Sequence, residues 1–192
     1  LDGAGAAHTP LLGTQSLQDG AWTWAIPLRD GLTSIGVVCE PGRMRREMAT
    51  RAGLLEHLRQ TASLRQLLRE ASVVDIGTGR QLASGTERFL SAQRWAVIGE
   101  AAGSTDPYLS PGTDHIAWHN DLTADLIRRD FEGEGLAPHA ARTDALLQHR
   151  WRLSLDTMVD QYRTLASYDL RRLRYVYDVF NYFNGLSAWL RD

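Results

Sequence analysis

The chain has 192 residues, a formal net charge of −2 and an apolar fraction of 43%, values typical of one soluble domain or slightly more. All 21 basic residues are arginine, so no reaction of this chain can use a lysine amine. The balanced charge argues against nucleic-acid binding, and no apolar run approaches the roughly 20 residues of a membrane-spanning helix. A single cysteine, Cys39, cannot form an internal disulfide, which favours a cytoplasmic protein. The first residue is Leu1, which indicates a processed product or part of a longer chain.

An alternating pattern over residues 14–39, broken by Asp30-Gly31, predicts a β-hairpin with a two-residue turn. Counting outward from this turn pairs Ile26 with Ile35, Trp24 with Val37, and Trp22 with Cys39, and places these six side chains on one face. The opposite face would carry the small residues Thr23, Ala25, Gly36 and Val38.

The rest of the chain is predicted to be mainly helical. Leucines over residues 44–71 predict two short amphipathic helices, with Ser63 as the N-cap of the second. Residues 72–75 and 95–98 are predicted strands, and the later periodicity predicts helices over 113–132, 138–166 and 169–183.

Two segments carry chemical information. The first, WTWAIP at residues 22–27, places two indoles side by side on one strand face; a buried aromatic strand in a sandwich is the alternative. The second, WAVIGEAAGSTDPYLSPGTD at residues 95–114, runs from a strand through small residues and a loop into a helix. Small residues let a ligand approach the backbone, and a helix N-terminus favours anions; a tight connection without a ligand is the alternative.

Together, and in this order, the two segments resemble the flavin-dependent halogenases and halogenase-like FAD oxidoreductases. The resemblance runs from about Gln18 to Leu126, and the helical tail is also similar to the C-terminal region of that family. It implies FAD as cofactor and an oxidant formed when reduced flavin reacts with oxygen to give a hydroperoxide. The residues that it places against the cofactor are Gly99, Glu100, Ala101, Ala102, Asp106, Pro107, Ser110, Pro111, Gly112 and Thr113. It places Trp22, Trp24, Ile26 and Pro27, here called the aromatic wall, between flavin and substrate.

The chain departs from the family pattern in several places. The GxGxxG fingerprint of the dinucleotide-binding half has no counterpart, since the string at residues 3–8 lacks the third glycine, and the family's catalytic lysine is missing too. The family aspartate of GDAA is Glu100 here. Tryptophan halogenases have a glutamate and two halide-binding amides where this chain has Leu109 and Pro111, and a proline has no N–H to donate. This favours a halogenase-like flavoprotein over a tryptophan halogenase.

Other clusters have simpler interpretations. His115 and His119 have the i, i+4 spacing of a metal pair, but no third ligand is placed, so we predict polar residues near the flavin loop and no metal. Arg171, Arg172 and Arg174 are interpreted as a solvated helix face. The aromatic tail over residues 162–183 is interpreted as helical core, part of which would close a substrate pocket.

The sequence therefore predicts an α+β fold with an antiparallel sheet layer, a flavin-contacting strand-loop-helix and a C-terminal helical region, without the N-terminal Rossmann half. The predicted divisions are residues 1–92, 93–134 and 135–192. The function expected is the substrate-side portion of a FAD-dependent halogenase-like oxidoreductase acting on a bulky aromatic or carrier-tethered substrate, inactive as this chain alone and with no catalytic residue assigned. A non-halogenating monooxygenase, or a flavin-free fragment or partner subunit, is the alternative. The expected partners are an N-terminal FAD-binding segment or chain, a reductase or other supply of reduced flavin, and a small-molecule substrate, without nucleic acid or membrane.

Overall fold

The computed structural model describes residues 13–186 of the chain, so the glycine string at residues 3–8 lies outside the described residues. Two compact units are present: one combines the chain up to Thr78 with the segment from Asp160 onward, and the other is Gly79–Val159. Both contain helices together with small antiparallel sheets or hairpins, an α+β composition that agrees with the prediction. No helix of the described part is long and apolar enough to cross a membrane.

The elements of the described residues follow one another in this order. The first unit contains β1 (Thr14–Gln18), β2 (Ala21–Pro27), β3 (Thr33–Cys39), α1 (Arg51–Arg59), α2 (Ala62–Leu67), α5 (Gln161–Thr164) and α6 (Tyr168–Asn181). The second unit contains β4 (Ser84–Gly85), β5 (Leu90–Ser91), β6 (Trp95–Ala96), β7 (Gly103–Ser104), α3 (Gly112–Phe131) and α4 (Leu136–Met158).

The hairpin of β2 and β3 forms where the sequence predicts it, but its register is shifted by one residue. Asp30 and Gly31 adopt the positive φ angles expected of them, 59° and 72°. The Leu28 N–H donates to the Leu32 carbonyl at 2.8 Å, so the loop between these two residues has three residues and not two. One extra loop residue shifts the pairing by one, so the residues of one strand that were expected on a given face lie on the opposite face.

The predicted six-residue face is therefore wrong. Trp22 pairs with Val38, Trp24 with Gly36 and Ile26 with Ser34, and these six residues share a face. Ile35, Val37 and Cys39 lie on the opposite face, together with Thr23 and Ala25. A Cβ atom on Gly36 would lie 2.0 Å from the Trp24 ring, so the glycine makes room for the indole.

The core of the first unit lies between that opposite face and helices α1 and α2. Ala25 of β2 is buried with Leu58, Leu64 and Leu68, and other apolar residues pack around them: Ile35, Val37, Leu54, Leu55 and Leu67. Burying a leucine side chain stabilises the fold by about 1.5–3 kcal/mol, so these leucines hold the sheet against the helices. The two helices were predicted, although the second has Thr61 and not Ser63 at its N-cap position.

Two further predicted elements differ from the structure. Residues 72–75 form no strand; Val74 is 78% exposed and the Val73 carbonyl accepts from the Arg51 side chain, not from a neighbouring strand. The helix predicted over 138–166 ends at Met158 because Val159 is extended and Asp160 has a left-handed φ of 59°. The helices predicted over 113–132 and 169–183 are confirmed within two residues as α3 and α6.

The second unit is built around α4. The Trp151 ring lies over Gly85 and Gly103, which pair across β4 and β7, and a Cβ on either glycine would approach the ring to 2.3 or 2.8 Å. The Asp144 carboxylate accepts the backbone N–H groups of Phe89 at 2.7 Å and Leu90 at 3.1 Å, which fastens the β5–β6 hairpin to the helix.

Candidate functional site

The predicted flavin-contacting segment folds into one tight turn after β6. The turn, Gly99–Ala101, begins at Gly99 with φ 60°, and the Ala102 N–H closes it on the Gly99 carbonyl at 3.1 Å. Gly99 and Ala102 are buried, whereas Glu100 and Ala101 are exposed. The turn therefore presents an outer edge with one acidic and one very small side chain, which a flat ligand can approach.

The loop that follows, residues 106–113, is ordered by its own hydrogen bonds. The Asp106 carboxylate accepts the Tyr108 N–H at 2.9 Å, and the Ser110 N–H donates to the Pro107 carbonyl at 2.9 Å. The Thr113 hydroxyl donates to the Ser110 carbonyl at 3.0 Å, and the buried ring of Tyr108 anchors the loop. Leu109 and Ser110 both have positive φ, 66° and 55°, a conformation that is uncommon for residues other than glycine.

Helix α3 begins directly beside the turn. A Cβ atom on Gly112 would lie 3.0 Å from Glu100 Oε1, so the Glu100 carboxylate lies against the first residue of the helix. Pro111 occupies the N-cap position and provides no side-chain cap. The positive end of the helix dipole therefore lies beside the Glu100 carboxylate.

The two histidines of α3 are buried and engaged in separate hydrogen bonds. His119 Nδ1 accepts the Gly99 N–H at 2.9 Å, and His115 Nε2 lies 2.9 Å from the Ser154 hydroxyl of α4. They are 1% and 3% exposed. The described residues contain no group of three or more histidine, cysteine, aspartate or glutamate residues that could hold a metal.

Burial also determines the protonation of these rings. Desolvation is the main cause that lowers the pKa of His119 to about 4, and the neighbouring His115 adds to it. Desolvation is also the main cause that lowers the pKa of His115, and the charge of Arg150 adds to it. Arg150 lies with its guanidinium carbon 4.3 Å from the centre of the Trp118 ring. Both histidines are therefore neutral near pH 7 and can accept hydrogen bonds there.

The aromatic wall lies in the first unit. The rings of Trp22 and Trp24 have centroids 5.4 Å apart, and their indole N–H groups donate to Tyr162 Oη at 3.1 Å and Ser34 Oγ at 3.2 Å. Trp22 is 3% exposed and Ile26 is 45% exposed, while Pro27 ends β2 opposite Thr33. The exposed part of the wall is therefore its end at Ile26.

Cys39 was predicted to face the indoles, and the register corrects this. It pairs with Ala21 on the other face of the sheet, and its sulfur lies 3.9 Å from that of Met44. Burial, with the neighbouring Glu40 carboxylate, raises the pKa of the thiol. A raised pKa disfavours the reactive thiolate, in agreement with a structural cysteine.

The predicted cofactor residues lie together in the second unit, and the predicted wall residues lie in the first. Sequence reasoning missed the role of His119 as the hydrogen-bond acceptor of the turn, although its position one helical turn after His115 drew attention to it. It also missed Asp144, whose sequence context gives no signal because its two partners, Phe89 and Leu90, are 55 and 54 residues away.

Comparisons with known proteins identify relatives that are all halogenases by name. The chain is 31% identical over 127 residues to the flavin-dependent halogenase otaD of Aspergillus niger, an alignment that covers 57% of this chain and 24% of the relative. It is 28% identical over 113 residues to the flavin-dependent halogenase chlA of Dictyostelium discoideum, covering 57% of this chain and 19% of the relative. It is 30% identical over 131 residues to ptaM of Pestalotiopsis fici, covering 62% and 23%.

Over part of its length the chain is halogenase-like. No family model matches it. The halogenase-like chain aligns with about a quarter or less of the length of these curated relatives. By their names these three relatives are flavin-dependent.

Proposed function

We propose that the chain provides the flavin-contacting and substrate-side part of a FAD-dependent halogenase-like oxidoreductase that acts on a bulky, aromatic or carrier-tethered substrate. The observation that carries the proposal is the Gly99–Ala101 turn beside the N-terminus of α3, in a chain similar to flavin-dependent halogenases. An adenylate-binding segment or chain and a reductase would complete the enzyme.

The residues present fit a flavin. Ala101 leaves the outer edge of the turn open, and α3 begins beside the same turn with the positive end of its dipole. A Cβ on Gly112 would lie 3.0 Å from Glu100 Oε1, so the Glu100 carboxylate lies close to the backbone at the start of α3. The turn and the 106–113 loop would hold the ribityl chain and the edge of the ring. When bound, reduced flavin supplies the activation of oxygen.

The chain's own residues would bind the cofactor, orient it and exclude water from the substrate. The Glu100 carboxylate would accept a ribityl hydroxyl, and the amides at the start of α3 would donate to polar atoms of the cofactor. The loop would set the space beside the ring, since its own hydrogen bonds already order it. Within the aromatic wall Ile26 is the exposed residue, so this end of the wall would border the substrate and exclude water from it.

A non-halogenating monooxygenase is the second candidate, and two residues favour it. Pro111, at the N-cap of α3, has no N–H to give to a halide. Leu109, where the resembled tryptophan halogenases have a glutamate, has no acid or base. Product formation by the completed enzyme with and without bromide separates the two reactions.

A matched pair of variants tests flavin binding at the turn. Ala101→Phe places a ring on the exposed edge of the turn, whereas Ala141→Phe places the same ring on an exposed position of α4. Titration of FAD, followed by flavin fluorescence, should show at least about tenfold weaker binding for Ala101→Phe and wild-type binding for the control.

Equal affinity of the two variants would place the flavin elsewhere. A wild-type chain that binds no flavin, alone or with a second polypeptide carrying an adenylate site, would support a non-catalytic fragment or subunit instead.

A further inference from the structure

The Gly99–Ala101 turn is held from its buried side by one histidine. The Gly99 N–H donates to His119 Nδ1 at 2.9 Å, in surroundings where the ring is 1% exposed. The opposite edge of the turn, at Glu100 and Ala101, is exposed. One side of the turn is thus fixed to the protein while the other is open to a ligand.

The protonation state of His119 suits an acceptor. Because Nδ1 receives the Gly99 N–H, the ring proton resides on Nε2 and the ring is neutral. Burial, together with the neighbouring His115, lowers the pKa of His119 to about 4, so Nδ1 stays an acceptor through the neutral range. His115 itself is held by the Ser154 hydroxyl at 2.9 Å, and the ring centres of the two histidines are 6.2 Å apart.

Packing against an aromatic neighbour also restrains the His119 ring. Phe89, which is fully buried, packs against His119 with ring centroids 5.2 Å apart. Phe89 is in turn fastened to α4 through its N–H and the Asp144 carboxylate. His119 therefore has little freedom to follow a turn that moves.

His119 lies on the same helix that begins beside the turn. Seven residues separate it from Gly112, which corresponds to about 10 Å along the helix axis. The turn contacts α3 at both points: Gly99 meets His119 and lies over Ile116, where a Cβ would be 3.1 Å from Cγ1, and the Glu100 carboxylate meets Gly112. These contacts therefore set the distance between the turn and the N-terminus of α3.

We propose that His119 is a positioning residue for the flavin: by accepting the Gly99 N–H it fixes the Gly99–Ala101 turn relative to the N-terminus of α3. The inference rests on the proposed function, because the flavin is the ligand that the turn would meet. His119 does not touch the cofactor; it acts through the backbone of Gly99.

Two substitutions at this position separate the hydrogen bond from the packing. His119→Asn retains an acceptor oxygen near the place of Nδ1, whereas His119→Leu fills similar space and leaves the buried Gly99 N–H without an acceptor. Leu126→Ala is the control, since it removes a buried side chain of the same helix about two turns away and destabilises α3 without contact to the turn.

Two readouts are measured on the full chain: binding of FAD and FMN by fluorescence, and amide hydrogen exchange at Gly99. We expect His119→Leu to weaken flavin binding by at least about tenfold and to accelerate Gly99 exchange. His119→Asn should remain within about threefold of wild type in both. Leu126→Ala should retain flavin affinity even if its midpoint of thermal unfolding falls further than that of His119→Leu.

The outcomes distinguish the two levels of the proposal. Unchanged flavin affinity in His119→Leu, or an equal loss in Leu126→Ala, overturns the positioning role while the proposed function stands. A wild-type chain that binds neither FAD nor FMN, alone or with a second polypeptide carrying an adenylate site, overturns the proposed function. Gly99 exchange is then the remaining readout, and exchange that His119→Leu leaves unchanged overturns the role of His119 in holding the turn.

Discussion

At the scale of single residues, the two histidines of α3 are buried and neutral near pH 7. His119 accepts a backbone N–H and packs on Phe89, so the neutral ring is part of the fold. Protonating it would place a charge next to His115 in a site with 1% exposure of the ring. The ionisation of this residue must therefore be linked to folding.

This linkage predicts a loss of stability on mild acidification. The folded-state pKa of His119 is about 4, below the ordinary value of 6.5, so the unfolded chain binds the proton more readily. The contribution of the neutral ring is complete above about pH 6.5 and falls as the pH decreases toward 4. For this group alone we expect a loss of about 2 kcal/mol in the free energy of unfolding between pH 7 and pH 5.

Urea unfolding at the two pH values measures the effect. His119→Asn removes the titrating group and should show a loss smaller by about that amount. Equal pH dependence in wild type and His119→Asn would contradict the assignment of the shift to His119.

At the scale of elements, the sequence predicts the type of most segments correctly. It fails where a contact between residues far apart in the sequence determines the register of a strand or whether the strand forms. The positive φ of Asp30 and Gly31 follows from residue type, but the three-residue loop that sets the hairpin register depends on the pairing of Leu28 with Leu32. The two valines at 73 and 74 have strand propensity, but no strand among residues 13–186 pairs with them. Local pattern gives the element, and long-range pairing gives its register.

The candidate site also combines features set by local sequence with features set by long-range contacts. Small residues between a strand and a helix identify the Gly99–Ala101 turn and the start of α3 from sequence alone. The bond from Gly99 to His119 spans 20 residues and depends on how α3 packs, so periodicity gives only the face of the helix on which His119 lies.

Asp144 gives a prediction at this scale, because one side chain fastens the β5–β6 hairpin to α4. Asp144→Ala would leave the N–H groups of Phe89 and Leu90 without their acceptor, and we expect a loss of about 2–3 kcal/mol in the free energy of unfolding. Asp144→Asn retains Oδ1 and should lose less. Asp121→Ala, on an exposed position of α3, is the control and should stay within about 0.5 kcal/mol of wild type in urea unfolding.

At the scale of the whole molecule, α6 leaves an apolar surface exposed in the described residues. Its polar side is turned inward, where Arg174 and Gln161 both bind the Asp178 carboxylate at 2.8 and 2.9 Å. Its apolar side is exposed, with Leu173 at 69%, Val176 at 62% and Phe180 at 64%. The prediction of a helical core for the aromatic tail is therefore wrong for Phe180, and it is wrong as well for three tyrosines that are more than half exposed, Tyr168, Tyr175 and Tyr177.

The proposal that an adenylate-binding segment or chain completes the flavin site gives the last prediction. If the chain contributes the turn, the loop and the N-terminus of α3 but no GxGxxG fingerprint, its contacts end at the ribityl and pyrophosphate part of the cofactor. The adenosine half of FAD then adds no contact, so FAD and FMN should bind the isolated chain with affinities within about threefold of each other. Parallel titrations by flavin fluorescence measure the ratio, with riboflavin showing what the phosphate contributes. An affinity for FAD more than about tenfold above that for FMN would mean that this chain itself holds the adenylate, and the predicted need for a second FAD-binding segment would be wrong.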